Sequence, residues 1–344
     1  MRGWIAFIAA AVMLWLIGCG QASPATSAEN SANAPAAPIP LLTMSTRFGP
    51  ELIAEVVIGG QTLRVLLDTG STGLRVLASR VPPDAARYTG PASPLGYGSG
   101  IVISGNLARA NIQIGPYQSI GPIPIELVTG IICSPQQPNC PAAGGQKPVM
   151  FGGQFDGIMG ISPRPGADVV NPLWRLPRSL GQAFAIHYDP AGQSSVLVGV
   201  PAAGYTLVRL KPTRPGGLAP PPDRSPSASE APPGWDPRIS VCFTLSTLVG
   251  GKACGPTLFD TGTPGLLIQT PGGSPGAVPS GTSIGLTVPD GGLSYTYTTG
   301  PDNTATIAAM TPQSIIRSIA GLAVFATTDV RYDLAEGTIG FRPR

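Results

Sequence analysis

Two aspartates of this 344-residue chain stand in the same short context. Asp68-Thr69-Gly70 closes the apolar run Val65-Leu66-Leu67 and is followed by Ser71, and Asp260-Thr261-Gly262 closes Thr257-Leu258-Phe259 and is followed by Thr263. One such tripeptide says little, because Asp and Gly end strands in many proteins. Two of them, 192 residues apart in matching contexts, point to two similar lobes that each deliver one carboxylate to a shared site. The chemistry open to such a pair is the activation of water. Carboxylates about 3 Å apart cannot both ionise, so they share one proton. The ionised member takes a proton from water as it attacks a carbonyl carbon; the protonated member polarises the carbonyl oxygen and then helps protonate the leaving nitrogen. Asp68 and Asp260 are the candidates. Ser71 and Thr263 would donate to the outer carboxylate oxygens, and Thr69 and Thr261 would tie the two loops together underneath. Gly70 and Gly262 would let the backbone come close to a bound water or substrate.

Such a pair needs strands to carry it. Leu52 to Ile58 and Leu63 to Leu67 read as a hairpin joined by Gly59-Gly60 that delivers Asp68. Ile239 to Leu245 and Pro256 to Phe259 do the same for Asp260. Between these lie a glycine-flanked tyrosine in Leu95-Gly96-Tyr97-Gly98-Ser99-Gly100, a β-rich stretch over 101–114, and the apolar Phe155 to Gly160. Ala183 to Tyr188 and Ser195 to Val200 read as central strands. A Gly-rich loop covers 271–281, and Ser314 to Ile319 reads as a short helix. Ala323 to Phe325, Val330 to Tyr332 and Thr338 to Phe341 read as terminal strands. Only 11% of the chain is charged, and it holds 46 glycines and 40 prolines, which favours many strands and turns over long helices. The fold class expected is all-β. A net charge of +3 without any basic run argues against a nucleic-acid partner.

The N-terminus reads as a targeting segment over residues 1–19. Arg2 precedes the apolar Trp4 to Ile17, which is too short for a stable membrane span. Leu16-Ile17-Gly18-Cys19 looks like a bacterial lipobox, with Cys19 as the lipidated residue. Residues 20–40, rich in Ala, Pro, Ser and Asn, read as a disordered tether. The expected location is the bacterial cell envelope, lipid-anchored and outside the cytoplasm. The other cysteines are Cys133, Cys140, Cys242 and Cys254, an even number that in an exported chain argues for two disulfides. Of the three possible connectivities, the short loops Cys133–Cys140 and Cys242–Cys254 are preferred. Neither spacing matches a zinc motif and the chain has one histidine, so no metal and no cofactor are expected. That histidine, His187, lies in an apolar strand and reads as a strand residue rather than a general base, which disfavours Ser-His-Asp and Cys-His plans.

Taken together, these motifs resemble the pepsin-like aspartic proteases along nearly the whole chain after the tether. Asp68 to Leu74 resembles the first catalytic loop and Asp260 to Thr263 the second. Tyr97-Gly98-Ser99-Gly100 looks like the flap, the hairpin that closes over substrate. Phe155 to Gly160 and Ile319-Ala320-Gly321 are similar to the apolar-apolar-glycine stretches behind the two loops. One departure stands out: Arg75 occupies the place where these enzymes usually carry a tryptophan supporting the flap tyrosine. The resemblance implies a bilobed all-β protein with a cleft between lobes of 41–187 and 188–344, the second carrying a Pro-rich surface insertion at 212–234. It implies an aspartic endopeptidase acting as a monomer on peptides or unfolded proteins, with apolar subsites and with Arg75 as a possible contact for something acidic. The competing reading is an inactive surface lipoprotein of the same fold that serves as a binding module.

Overall fold

In the computed structural model the described residues are 36–344 apart from 47–48, 141, 144–153, 178–179, 214–230, 247, 271–274, 290–292, 302–303 and 310–317. The expected targeting segment 1–19 with Cys19 lies outside them, as do most of the expected tether, the bulk of the expected 212–234 insertion, the start of the expected 271–281 loop and residues 314–317 of the expected helix.

The first aspartate is delivered by a hairpin of Gly49–Ile58 and Gln61–Asp68. Its two-residue turn needs positive φ at both positions, which Gly59 (57°) and Gly60 (78°) supply without Cβ strain. In Gln61–Asp68 the start is largely exposed, with Leu63 buried between exposed Thr62 and Arg64. The strand is then buried without interruption over Val65–Asp68, as a strand covered on both faces must be.

Beyond each aspartate the chain turns sharply, and a third strand fills the gap between incoming and outgoing strands. In the first lobe Gly157–Ile161 runs parallel to Gln61–Asp68, with Gly160 beside Asp68, and antiparallel to Thr72–Leu77. In the second lobe Ser318–Gly321 runs parallel to Lys252–Asp260, with Gly321 beside Asp260, and antiparallel to Leu266–Thr270. The repeat is therefore one of topology and register.

Among the described residues the second lobe forms an eight-stranded sheet, and the first lobe belongs to a sixteen-stranded sheet that continues into the strands joining the lobes. Those joining strands are Ile39–Thr46, Ala183–His187, Ser194–Val198, Thr206–Arg209, Thr328–Asp333 and Thr338–Pro343. The fold is all-β and bilobed. Ala183–His187 and Ser194–Val198 pair as a hairpin, so position 187/188 falls inside this shared sheet. The main core contains Leu67, Phe184, Phe259, Tyr332 and Phe341, with Phe259 and Phe341 ring centroids 4.9 Å apart. A smaller cluster of Ile53, Leu66, Ile101, Ile103, Val128 and Ile158 packs against Leu95 and Tyr97.

Three expectations are corrected. Ala323 to Phe325 is part of one helical turn, Leu322–Phe325, with all four side chains buried. The Leu322 and Ala323 N–H groups donate to the Thr263 and Pro264 carbonyls, so the Asp260 loop takes the donors a strand would need. Ser318 and Ile319, assigned to a helix from sequence, are strand, because the Asp260 strand requires a parallel neighbour. The folded part also starts before residue 41: Ile39 and Pro40 pair with Val196 and Ser195, and Ile39 is fully buried.

Cys133–Cys140 and Cys242–Cys254 are both disulfides. The second joins directly opposed residues of neighbouring antiparallel strands.

Candidate active site

The two Asp-Thr-Gly loops meet where the lobes join. Thr69 N–H donates to Thr261 Oγ1 (3.1 Å) and Thr261 N–H to Thr69 Oγ1 (3.0 Å). Each hydroxyl then donates across the interface, Thr69 to the Phe259 carbonyl (2.8 Å) and Thr261 to the Leu67 carbonyl (2.7 Å). Four buried hydrogen bonds thus lock the loops in one relative position. Sequence reasoning placed both threonines here, and both are fully buried.

Above this grip the carboxylates face each other. Gly70 comes so close to Asp260 that a Cβ on it would lie 2.9 Å from the carboxyl carbon, and one on Gly262 would lie 3.0 Å from Asp68 Oδ1. Any side chain at either glycine would push the pair apart.

The two carboxylates differ in their donors. Asp68 Oδ1 accepts from Gly70 N–H (2.6 Å) and Ser71 N–H (3.2 Å), and its Oδ2 accepts from the Ser71 hydroxyl. Asp260 accepts from Gly262 N–H and the Thr263 hydroxyl, both at 2.9 Å. Burial, the charge of Asp68 and a hydrogen bond with Asp68 hold the Asp260 carboxyl well above the usual carboxylate range. Two carboxyls this close share a proton whose titration belongs to the pair, and the acid form of Asp260 is the one its surroundings favour.

The carboxylates open into a cleft of about 900 Å³, lined from both lobes. Tyr97, Gly98 and Ser99 line it from above. They form the tip of a hairpin in which Leu95–Gly96 pairs with Ile103 and Val102, closed by Tyr97 N–H to Ile101 O (2.8 Å) and Gly100 N–H to Tyr97 O (2.9 Å). The tip is moored to the Cys133–Cys140 loop through Ser134 N–H to Gly100 O (2.7 Å) and the Gln137 amide to Gly98 O (3.4 Å). Burial pushes the Tyr97 phenol up, and its hydroxyl feels Arg75, Asp68, Glu126 and the Ser71 side chain.

Arg75, in the tryptophan's place, is buried. Its Nε donates to Glu126 Oε2 (3.0 Å) and its Nη1 to the Thr72 carbonyl (2.5 Å). The guanidinium is thus held by this chain's own oxygens, which removes the argument that it receives an acidic substrate group. Glu126 was missed from sequence. Its signal is a lone acid in the apolar run Ile123-Pro124-Ile125-Glu126-Leu127-Val128, matched by the lone base in Gly73-Leu74-Arg75-Val76-Leu77. Glu51 is also buried in the cleft wall, and desolvation raises its carboxyl to about 7.

His187 does not line the cleft. Its Nδ1 lies 2.9 Å from buried Asp329, which also accepts from Arg342 (2.7 Å), in a cluster that secures the C-terminal strand. Among the described residues no group of three His, Cys, Asp or Glu side chains could hold a metal ion.

With this geometry established, comparison with solved structures finds the aspartic proteinase from Irpex lacteus at a TM-score of 0.56 and 14% sequence identity, covering 89% of this chain and 97% of that one. The chain has the pepsin-like fold. No family model and no curated protein matches its sequence. The likeness is one of architecture, carried by the doubled strand–loop–strand units described above.

Proposed function

We propose that this pepsin-like chain is an aspartic endopeptidase that hydrolyses peptide bonds with Asp68 and Asp260. The observation that carries the reading is the unequal pair: two buried carboxylates locked face to face, one with three donors and the other with its acid form favoured. Asp68 acts as base toward a water held between the groups. Asp260 donates to the substrate carbonyl oxygen and afterwards helps protonate the leaving amine. Gly70 and Gly262 give the water and the peptide room, and the Tyr97 hairpin covers them and positions the scissile bond. The substrate is a peptide or an unfolded protein, because the cleft is large and lined from both lobes, and the protein acts as a monomer.

Cleavage of a peptide library from acidic to neutral pH tests this reading. Asp68→Asn and Asp260→Asn should each lower turnover by roughly 10³–10⁴-fold while leaving the fold intact. Turnover that survives either change rejects the dyad. No turnover at any pH, with peptide binding retained, transfers support to the binding-module reading.

We also propose attachment to a bacterial envelope through Cys19, supported by the lipobox-like Leu16 to Cys19 and by two disulfides, which suit an oxidising compartment. Cys19→Ala should release the protein from membranes; a variant that stays fully membrane-bound would refute lipidation.

A further inference from the structure

Glu126 is an acid of the cleft wall that the proposed mechanism does not use. Its side chain is 3% exposed and sits beside Arg75, yet only Oε2 is bonded; Oε1 is buried with no hydrogen-bond donor among the described residues. A buried carboxylate oxygen in this condition destabilises the fold, because it has lost water without gaining a donor. Its retention in a cleft wall calls for something that supplies the missing donor.

The surroundings say which donor. Glu126 and Tyr97 feel one guanidinium, Arg75, against three carboxylates: Glu126 itself, Asp68 and Asp168. Asp168 lies at the base of the flap, where its Oδ2 accepts from Ser93 N–H (3.3 Å), and both residues line the cleft. Of the other arginines lining the cleft, Arg238 is paired with Asp236 and Arg164 feels that same pair; with Arg75 matched by Glu126, Asp168 is left as the acid at the flap base. The equivalent wall of the second lobe has no such feature. There Leu267 takes the place of Arg75 on the rung beside Ile319, and Thr306 takes the place of Glu126 as its parallel neighbour.

We infer that the flap side of the cleft is a recognition pocket for a basic side chain of the bound peptide, with Glu126 Oε1 accepting its hydrogen bond and Asp168 adding negative charge at the rim. This rests on the peptide-binding part of the proposed function but not on catalysis. Glu126 is a specificity-determining residue, and Arg75 orients it.

The test uses one set of unstructured peptides with an otherwise apolar sequence, in which a single position is scanned through Lys, Arg, Gln, Leu, Phe and Glu. Cleavage is read as kcat/KM with the full chain. Binding is read as Kd with the Asp260→Asn chain, so that selectivity can be measured even where hydrolysis is absent. Lys or Arg should be preferred over Leu by about tenfold or more at the best-discriminated position, and Glu should be disfavoured. Glu126→Gln should bring the preference within about twofold. Arg75→Met with Glu126→Leu, which leaves no unpaired charge, should reverse it toward Leu and Phe. Cleavage without basic preference, or a basic preference unmoved by Glu126→Gln and by the double substitution, overturns the inference and leaves the protease reading in place. Basic-selective binding without cleavage by the wild-type chain does the opposite. No discrimination in either measurement also overturns it.

Discussion

The two lobes place different side chains on equivalent rungs. Beyond its aspartate loop the first carries Arg75 beside Ile158 and Glu126, deeply buried in the cleft wall; the second carries Leu267 beside Ile319 and Thr306, partly open and uncharged. The backbone ladder that holds each aspartate against its glycine is the same in both. What the repeat conserves is therefore the positioning of two carboxylates, while the walls are free to diverge because their side chains face the cleft rather than the ladder. The carboxylates diverge as well. Three donors converge on Asp68 and two on Asp260, so a near-symmetric scaffold holds two unequal carboxyls.

The largest expected effect separates the walls. Glu126→Leu strands a buried guanidinium and should destabilise the protein by about 3–5 kcal/mol in urea unfolding, whereas Thr306→Val in the exposed second wall should stay within about 0.5 kcal/mol. A Glu126→Leu cost below about 1 kcal/mol would mean that the first wall does not hold a buried ion pair, and the contrast between lobes would collapse.

A smaller effect probes the grip, whose symmetry is incomplete. The Phe259 carbonyl accepts from Thr69 and also from the Tyr332 hydroxyl (3.0 Å), while the Leu67 carbonyl has Thr261 as its side-chain donor among the described residues. Thr69→Val should therefore cost about 2 kcal/mol and Thr261→Val about 3, since only the latter leaves its carbonyl without a replacement. Equal costs, measured in the same unfolding assay, would show that Tyr332 adds nothing.

The smallest effect concerns pH. Burial lifts Glu51 from 4.5 to about 7, so between those values the folded state holds a proton that the unfolded state has lost. Its contribution is full below pH 4.5 and fades as pH rises through 7. Glu51→Gln should remove that slope, so that its stability relative to wild type rises as pH goes from 4.5 to 7.5. Parallel stability curves for the two proteins would place Glu51 in contact with water in the folded state.

Much of the frame is legible in the order of residues alone. The doubled Asp-Thr-Gly, the hydroxyls after it, the Gly59-Gly60 hairpin and the Tyr97 tip are local patterns in which residue type dictates backbone shape or donor placement, so they survive without knowledge of neighbours. The two cysteine pairs, expected as short local loops, form as such. The misreadings fall where distant segments decide. Leu322 to Phe325 has a composition suited to strand, yet it coils because the Thr263 and Pro264 carbonyls capture its N–H groups. Ser318 and Ile319 extend because the Asp260 strand lies alongside them.

The chain by itself determined that two equivalent carboxylates would exist, on strand ends, with hydroxyls and glycines to serve them. Only the tertiary structure decided how unequally the two carboxyls are served, because that follows from burial and from the count of donors converging through space. It also turned Arg75 from an expected contact for acidic substrate into the partner of a buried glutamate, since a charge in an apolar run announces that it needs a counter-charge but not where along the chain that counter-charge will be found.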